Sequence, residues 1–318
     1  MSSTVPAEGL AGRFRSWWHG GDGAVTPDVA ATTSDDRADE TAAEVGALVT
    51  APGDGLAGGA GGRQWTADTI AAVQMVCGVG SSIPGGEKLA RESLKRIGLN
   101  EKMSVVDYGC QLGLFSRVIS GENGVWVDAY EPVELLAEEA TRLATTDKRS
   151  KKVKVTCCEL LKAPVRSRSQ DVVVAAEVMH RSPERVAQLH NIARMIKSGG
   201  RLLVLDYFRE IDEPSSPAID NWRLHEVLQP GIPKVVHLRQ AMEKVGIRLQ
   251  STESVTAAYC DDLTVGLRRL AKQLTQHPPD SAMHGALLAE VEFWGARLRV
   301  LQSGDIGVYR LIGSMSKL

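Results

Sequence analysis

The chain has 318 residues, 43% of them hydrophobic, and a formal net charge of −2. That apolar content is ample for a buried core in one large domain or two small ones, and the near-neutral balance excludes a dedicated nucleic-acid binder, which presents a concentrated basic surface to phosphates. The five cysteines, Cys77, Cys110, Cys157, Cys158 and Cys260, form no C-x-x-C pair and read as reduced, mostly buried thiols. With no secretion signal and no apolar run approaching the ~18 residues that span a bilayer, the chain is expected in the cytoplasm. Its histidines and cysteines are scattered without ligand spacing, so no metal site is expected.

Residues 1–62 are rich in Ala, Gly, Thr and Asp and carry nine acidic against three basic side chains, a net −6 that leaves +4 for the rest. This composition buries too little apolar surface to offset chain entropy and reads as a disordered acidic tail. Phe14, Trp17 and Trp18, grouped around Arg15, interrupt it. They suit either a peripheral contact with a membrane or partner protein, or an idle apolar patch.

From Trp65 the pattern turns helical, with Ile70, Val73, Val76 and Cys77 on one face. The run Ser81 to Gly86 breaks it, and a second amphipathic helix follows to about Gly98. Residues 63–100 are thus a helical cap. Over 101–210, apolar or β-branched runs alternate with helical patterns: Ser104 to Asp107, Gly124 to Asp128, Val153 to Cys157, Asp171 to Ala175 and Arg201 to Leu205. Such alternation predicts an α/β fold, a Rossmann-like parallel sheet with helices on both faces. Residues 211–318 continue with a polar loop containing Pro214 and Pro217, a helix over Trp222 to Leu228, a helix over Val236 to Val245 and a strand over Ile247 to Val255. Long helices over Asp262 to Gln276 and Ala282 to Leu301 precede a last strand, Gly307 to Ile312. These supply a helical lid and complete a seven-stranded, mostly parallel sheet.

The strongest local signal is the run from Val105 to Gly113, where a strand ends and a helix begins. Gly109 and Gly113 let the backbone approach a ligand there, and the helix N–H groups can hydrogen-bond it, so a nucleotide-like ligand is expected. Glu131 ends the next strand, 22 residues beyond Gly109, where an acid can accept both ribose hydroxyls. Asp128 is the competing choice if that strand ends sooner.

These residues resemble a family. Asp107-x-Gly109-x-x-x-Gly113, followed by an acid one strand on, is similar to the first two motifs of class I S-adenosylmethionine-dependent methyltransferases. Cys158-Glu159-Leu160 resembles their adenine-reading acidic position, Gln170 to Val174 their fourth-strand motif, and Met195 to Leu203 their Gly-Gly turn. Gly80 to Gly86 and Leu205-Asp206-Tyr207 resemble a narrower branch acting on phosphoethanolamine, sterols and other small molecules. The resemblance implies S-adenosylmethionine as cofactor, a small-molecule methyl acceptor, and cofactor contacts from Asp107, Gly109, Cys110, Gln111, Gly113, Glu131, Glu159 and Glu177. One position departs: the family has glycine where this chain has Gln111. Its side chain could crowd the methionine part of the cofactor, push the loop away from it, or point outward harmlessly. A non-catalytic binding or regulatory protein with a degenerate cofactor loop is therefore the alternative reading. Nicotinamide dehydrogenases use a similar turn, but the Gly-Gly turn and the late strand favour methyl transfer.

In an open parallel sheet the ligand crevice lies beyond the carboxyl ends of the strands, which puts Glu177, Met179, His180, Asp206 and Tyr207 near a reacting centre. His180 is either a general base for a hydroxyl, amine or enol acceptor or a packing residue. Asp206 and Tyr207 suit binding a cationic or hydroxylated acceptor, though Asp206 could instead cap the following loop. Trp222 is an acceptor wall or an anchor, and Trp294 a core or homodimer-contact residue. Arg268-Arg269 and Arg297-x-Arg299 read as solvated helix faces, with contact to an anionic acceptor as the alternative.

Overall fold

Thr66 opens the first helix: its hydroxyl accepts the Thr69 N–H at 3.1 Å and caps α1, Ala67–Cys77, satisfying a donor that a helix start leaves free. The computed structural model describes residues 63–182, 184–212, 216–226, 232–276 and 281–317. The acidic segment 1–62, with Phe14, Trp17 and Trp18, lies outside them.

After α2 (Gly86–Leu94) the chain alternates β1 (Ser104–Tyr108), α3 (Leu114–Asn123), β2 (Trp126–Glu131), α4 (Glu134–Thr146), β3 (Val153–Cys157), β4 (Gln170–Ala176), α5 (Arg185–Met195) and β5 (Ile196–Arg209). It continues with α6 (Pro217–His225), α7 (Val235–Lys244), β6 (Ile247–Ser254), α8 (Thr256–Gln276), α9 (Ser281–Gln302) and β7 (Ile306–Met315). The seven strands lie in the order β3-β2-β1-β4-β5-β7-β6. The first five run parallel, and β7 inserts antiparallel between β5 and β6.

The central strands are apolar at nearly every position because both faces are covered. Val105, Val172, Val174, Leu203 and Leu205 pack with Leu89 of α2, Phe115 of α3 and Val300 of α9. Val106, Val173, Leu202 and Val204 face the other way, against Ile192 of α5 and Met242 of α7. A third cluster joins α1 to α8 and α9 through Val73, Leu263, Leu267 and Trp294. That joint is tight at Gly266, where a Cβ would fall 2.2 Å from the Val76 carbonyl oxygen. Among the described residues no helix is long and apolar enough to cross a membrane.

The Rossmann-like sheet is as the sequence predicts, and the differences are at element ends. β5 runs well past the expected Arg201 to Leu205 because β7 pairs with it from Arg201 to Arg209, a long-range partner that the local pattern does not contain. The helix expected over Trp222 to Leu228 spans Pro217–His225 instead. Ser216 caps it through the Ile219 N–H at 3.3 Å and Pro217 supplies the first turn, the usual start chemistry; residues 227–230 lie outside the described residues. α8 begins at Thr256, earlier than the expected Asp262.

Candidate active site

The turn after β1 is built from within. Asp107 is buried and points away from the cleft: its carboxylate accepts the Ser116 hydroxyl at 2.6 Å and the Ser116 N–H at 3.1 Å, tying α3 to the strand that precedes it. Burial pushes its carboxyl up to about 6, against the pull of those two bonds. Gly109 (φ +80) has no room for a side chain, since a Cβ would meet Val178 at 2.6 Å. Gly113 (φ +70) caps α3, and Cys110 is buried beneath the loop.

Gly109, Gln111, Glu131, Glu159 and Glu177 line one cavity of about 490 Å³ at the carboxyl ends of β1, β2 and β4. Asp107, Cys110 and Gly113 shape the loop behind it. Glu131 is the strand-end acid. Asp128, the competing choice, is exposed in the middle of β2. One Glu131 oxygen accepts the Gln111 N–H at 2.8 Å and the other the Val133 N–H at 3.1 Å, leaving a lone pair on each for a vicinal diol. Glu159 is exposed at the rim and pairs with Lys162 at 2.8 Å.

Burial pushes the Glu131 carboxyl from 4.5 up to about 7, and the two backbone donors only partly oppose it. A raised carboxyl costs stability as pH climbs through that window, and a diol needs its ionised form. Affinity for a ribose-bearing ligand is therefore expected to rise about tenfold from pH 6 to pH 8, one pKa unit being a factor of ten. Titration calorimetry across that range checks it; Glu131→Gln should flatten the profile.

Gln111 does not point outward. It adopts φ +52, in the left-handed region, and is only 8% exposed. Its side-chain oxygen accepts the Ser82 hydroxyl at 2.8 Å and its nitrogen donates to the Ala176 carbonyl at 3.1 Å.

Beyond β4 and β5 lies a buried polar cluster. His180 Nδ1 is 2.6 Å from Asp206 Oδ1, and Asp206 also accepts the N–H groups of Met179 at 2.7 Å and Tyr207 at 2.9 Å. Burial works against charge on both groups, but each outweighs it for the other: Asp206 is held below the ordinary carboxylate range and His180 above the ordinary imidazole range, with Glu226 adding to the latter. Among the described residues His180 Nε2 and Glu226 Oε2 have no hydrogen-bond partner, and they face each other at 3.8 Å. Arg297 of α9 closes the cluster. It donates to Glu177 at 2.8 Å and to the Tyr207 hydroxyl at 2.9 Å, and through Nε at 3.1 Å and Nη2 to Glu226. Tyr259 donates to Glu177 at 2.6 Å and shares a 2.7 Å bond with Tyr207.

Arg297 overturns its reading as a solvated helix face: it is 1% exposed. Two carboxylates and the rings of Tyr207, Phe293 and Trp294, 4.6–4.9 Å from its guanidinium carbon, replace the water it gives up. The signal was available in α9, where Glu290, Phe293, Trp294, Arg297 and Leu301 share one three-four-spaced, inward face. Trp222 is fully buried against the Tyr207 ring at 5.5 Å, as an anchor would be. Trp294 lies in the core and donates to Glu290 at 2.9 Å. Sequence reasoning missed Glu226, Tyr259 and Ser82 as members of the site.

The turn 177–182 divides the site. Glu177, Val178, Arg181 and Ser182 border the cleft already described, while Met179 and His180 border a second cavity of about 430 Å³ with Asp206, Tyr207, Phe208 and Leu238.

A family model described as a methyltransferase domain matches residues 86–252, more than half of the chain. The O-methyltransferase resE of Aspergillus sclerotiorum is 25% identical over 164 residues, 51% of this chain and 61% of that protein. The 27-O-demethylrifamycin SV methyltransferase of Amycolatopsis mediterranei is 28% identical over 183 residues, 54% of this chain and 65% of that one. The match thus spans less than two thirds of either relative. Among solved structures, Haemonchus contortus phosphoethanolamine N-methyltransferase 2, in complex with phosphomonomethylethanolamine and S-adenosylhomocysteine, superposes with a TM-score of 0.68 at 18% identity, over 79% of this chain and 58% of that one.

Proposed function

The chain belongs to the methyltransferase-domain family, and on that premise we propose that it moves the methyl group of S-adenosylmethionine to a hydroxyl oxygen of a small organic acceptor. The observation that carries the reading is the His180–Asp206 pair, buried at the strand ends beside the cleft, whose second ring nitrogen faces Glu226 at 3.8 Å and has no hydrogen-bond partner among the described residues. The O-methyltransferase names of the fungal relatives support oxygen over nitrogen.

The residues present fit the adenosyl end of the cofactor. Glu131 keeps acceptor capacity for a ribose, Glu159 stands at the rim for the adenine amino group, and glycine at 109 keeps the cleft floor clear. When bound, S-adenosylmethionine supplies an electrophilic methyl group. The protein's part is alignment, because an in-line displacement responds mainly to positioning. His180 takes the acceptor's proton as its oxygen becomes the nucleophile, and Asp206, fixed by backbone N–H groups, balances the imidazolium. The second cavity, apolar at Leu189, Phe208 and Leu238, suits an apolar or aromatic hydroxylated acceptor. The helices of residues 211–318 would cover it as a lid that excludes water. Five free cysteines support a reducing, cytoplasmic setting.

Calorimetry with S-adenosylhomocysteine tests the cofactor assignment. Binding should weaken at least tenfold, about 1.4 kcal/mol, in Glu131→Ala. Equal affinity in both proteins would overturn it. A second reading, a binding protein that has lost the reaction, draws on Gln111, a side chain at the cleft where the family has glycine.

A further inference from the structure

We propose that Gln111 sets the ligand preference of the cleft: as built, the cleft accepts an adenine nucleoside without an amino-acid tail more readily than a full S-adenosyl amino acid. The proposal rests on the reading of Glu131 as the ribose-binding acid. Gly109, Gln111, Glu131, Glu159 and Glu177 line the same cleft, and the Gln111 N–H sits on Glu131 itself at 2.8 Å. With the adenine at Glu159 and the ribose at Glu131, a 5′ substituent comes up against Gln111, behind whose amide lie Ser82 and Ala176.

An amino-acid head carries a carboxylate that accepts hydrogen bonds and an ammonium that donates them, so it seeks one donor and one acceptor from the protein. The Ser82 hydroxyl and the Ala176 carbonyl are such a pair, and Gln111 holds both, with its oxygen on the first at 2.8 Å and its nitrogen on the second at 3.1 Å. The side-chain amide thus imitates the head it excludes. The nearby Glu177 carboxylate is a poor substitute for the ammonium's partner, because the Arg297 guanidinium at 2.8 Å already balances its charge and Tyr259 donates to its other oxygen at 2.6 Å.

The loop is fixed in this arrangement. Gln111 adopts φ +52, a backbone that side-chain-bearing residues rarely take, and its own N–H is anchored on Glu131 at 2.8 Å. A tailed ligand must either break both side-chain bonds or bury a charged head without partners. A neutral 5′-thioether nucleoside does neither. Turnover with S-adenosylmethionine then requires Gln111 to leave Ser82 and Ala176.

The test compares 5′-methylthioadenosine with S-adenosylhomocysteine by calorimetry on the full chain, on Gln111→Gly and on Gln111→Ala. Glycine suits the left-handed backbone, and alanine removes the amide while keeping the Cβ. The wild type should bind methylthioadenosine at least as tightly as the homocysteine derivative. Both variants should shift the ratio at least tenfold towards the tailed ligand, with methylthioadenosine affinity unchanged. If methylthioadenosine binds, depends on Glu131, and the ratio stays put in both variants, the role of Gln111 is overturned while the cleft assignment stands. If no protein binds either ligand, the cleft assignment falls and the proposal with it.

Discussion

Replacing Arg297 with methionine is expected to lower the unfolding free energy by about 3–5 kcal/mol, the range seen when one partner of a buried ion pair is removed. Arg297 is 1% exposed and holds Glu177 and Glu226, both also buried. Methionine fills a similar volume against Tyr207, Phe293 and Trp294, so the loss comes from two stranded carboxylates and a Tyr207 hydroxyl short of one donor, with little contribution from a cavity. Urea unfolding at constant m-value is the measurement. Its pH dependence separates charge from packing. Burial raises the Glu226 carboxyl, but Arg297 and His180 outweigh it and hold the group well below its ordinary value. In the wild type, the stability this gives is complete above the ordinary carboxylate range and is lost as pH falls towards the depressed value. In Arg297→Met that support is gone, so the gap between variant and wild type should narrow on acidification. A gap that is the same at pH 4 and pH 8 would assign the effect to packing.

How much of this was legible in the sequence follows from the range of each interaction. The glycine turn, the strand-helix alternation and the acid at the end of β2 are local patterns, and all three stand where the spacing puts them. Gln111 was visible as an anomaly, but its meaning was not. Ser82 and Ala176 lie 29 and 65 residues away from it, and only the closed fold brings a hydroxyl and a carbonyl to the two ends of its amide. Arg297 and Glu226 are 71 residues apart, on α9 and just past α6, and no sequence rule pairs them. Arg297 was misread for a further reason. Its neighbour Arg299 suggested a charged surface stripe, whereas residues two apart on a helix do not share a face, and only one of the two turns inward. The antiparallel return of β7, which lengthens β5 and begins beside Asp206 and Tyr207, depends on pairing between segments a hundred residues apart. The sequence thus anticipated the cleft at the strand ends more completely than the buried cluster beyond β4 and β5, because the cleft is built on consecutive strand ends and the cluster on helices that arrive late.

His180→Gln should reduce kcat by about 10²–10⁴, the usual contribution of a positioned proton acceptor, while leaving S-adenosylhomocysteine affinity within about twofold, since His180 borders the other cavity. Glutamine can still hydrogen-bond an acceptor hydroxyl but cannot take its proton, so binding and chemistry separate in this variant. Labelled-methyl transfer to a hydroxylated acceptor reads the rate, and calorimetry reads the affinity. Asp206 acts through His180, and its role shows in the pH profile. Asp206 and Glu226 together hold the imidazole above its ordinary 6.5 despite burial. The rate should therefore climb with pH through that raised value as the base becomes free, and Asp206→Asn should move the inflection downwards. Asparagine keeps one oxygen, which can take the Met179 and His180 N–H groups that Asp206 holds on Oδ2, and gives up the acceptor for the Tyr207 N–H on Oδ1, so the turn retains two of its three backbone bonds and the lost charge dominates what the profile reports. An inflection unmoved by Asp206→Asn, or a His180→Gln enzyme as fast as the wild type, would take proton removal away from this pair and leave positioning as the whole of the protein's contribution.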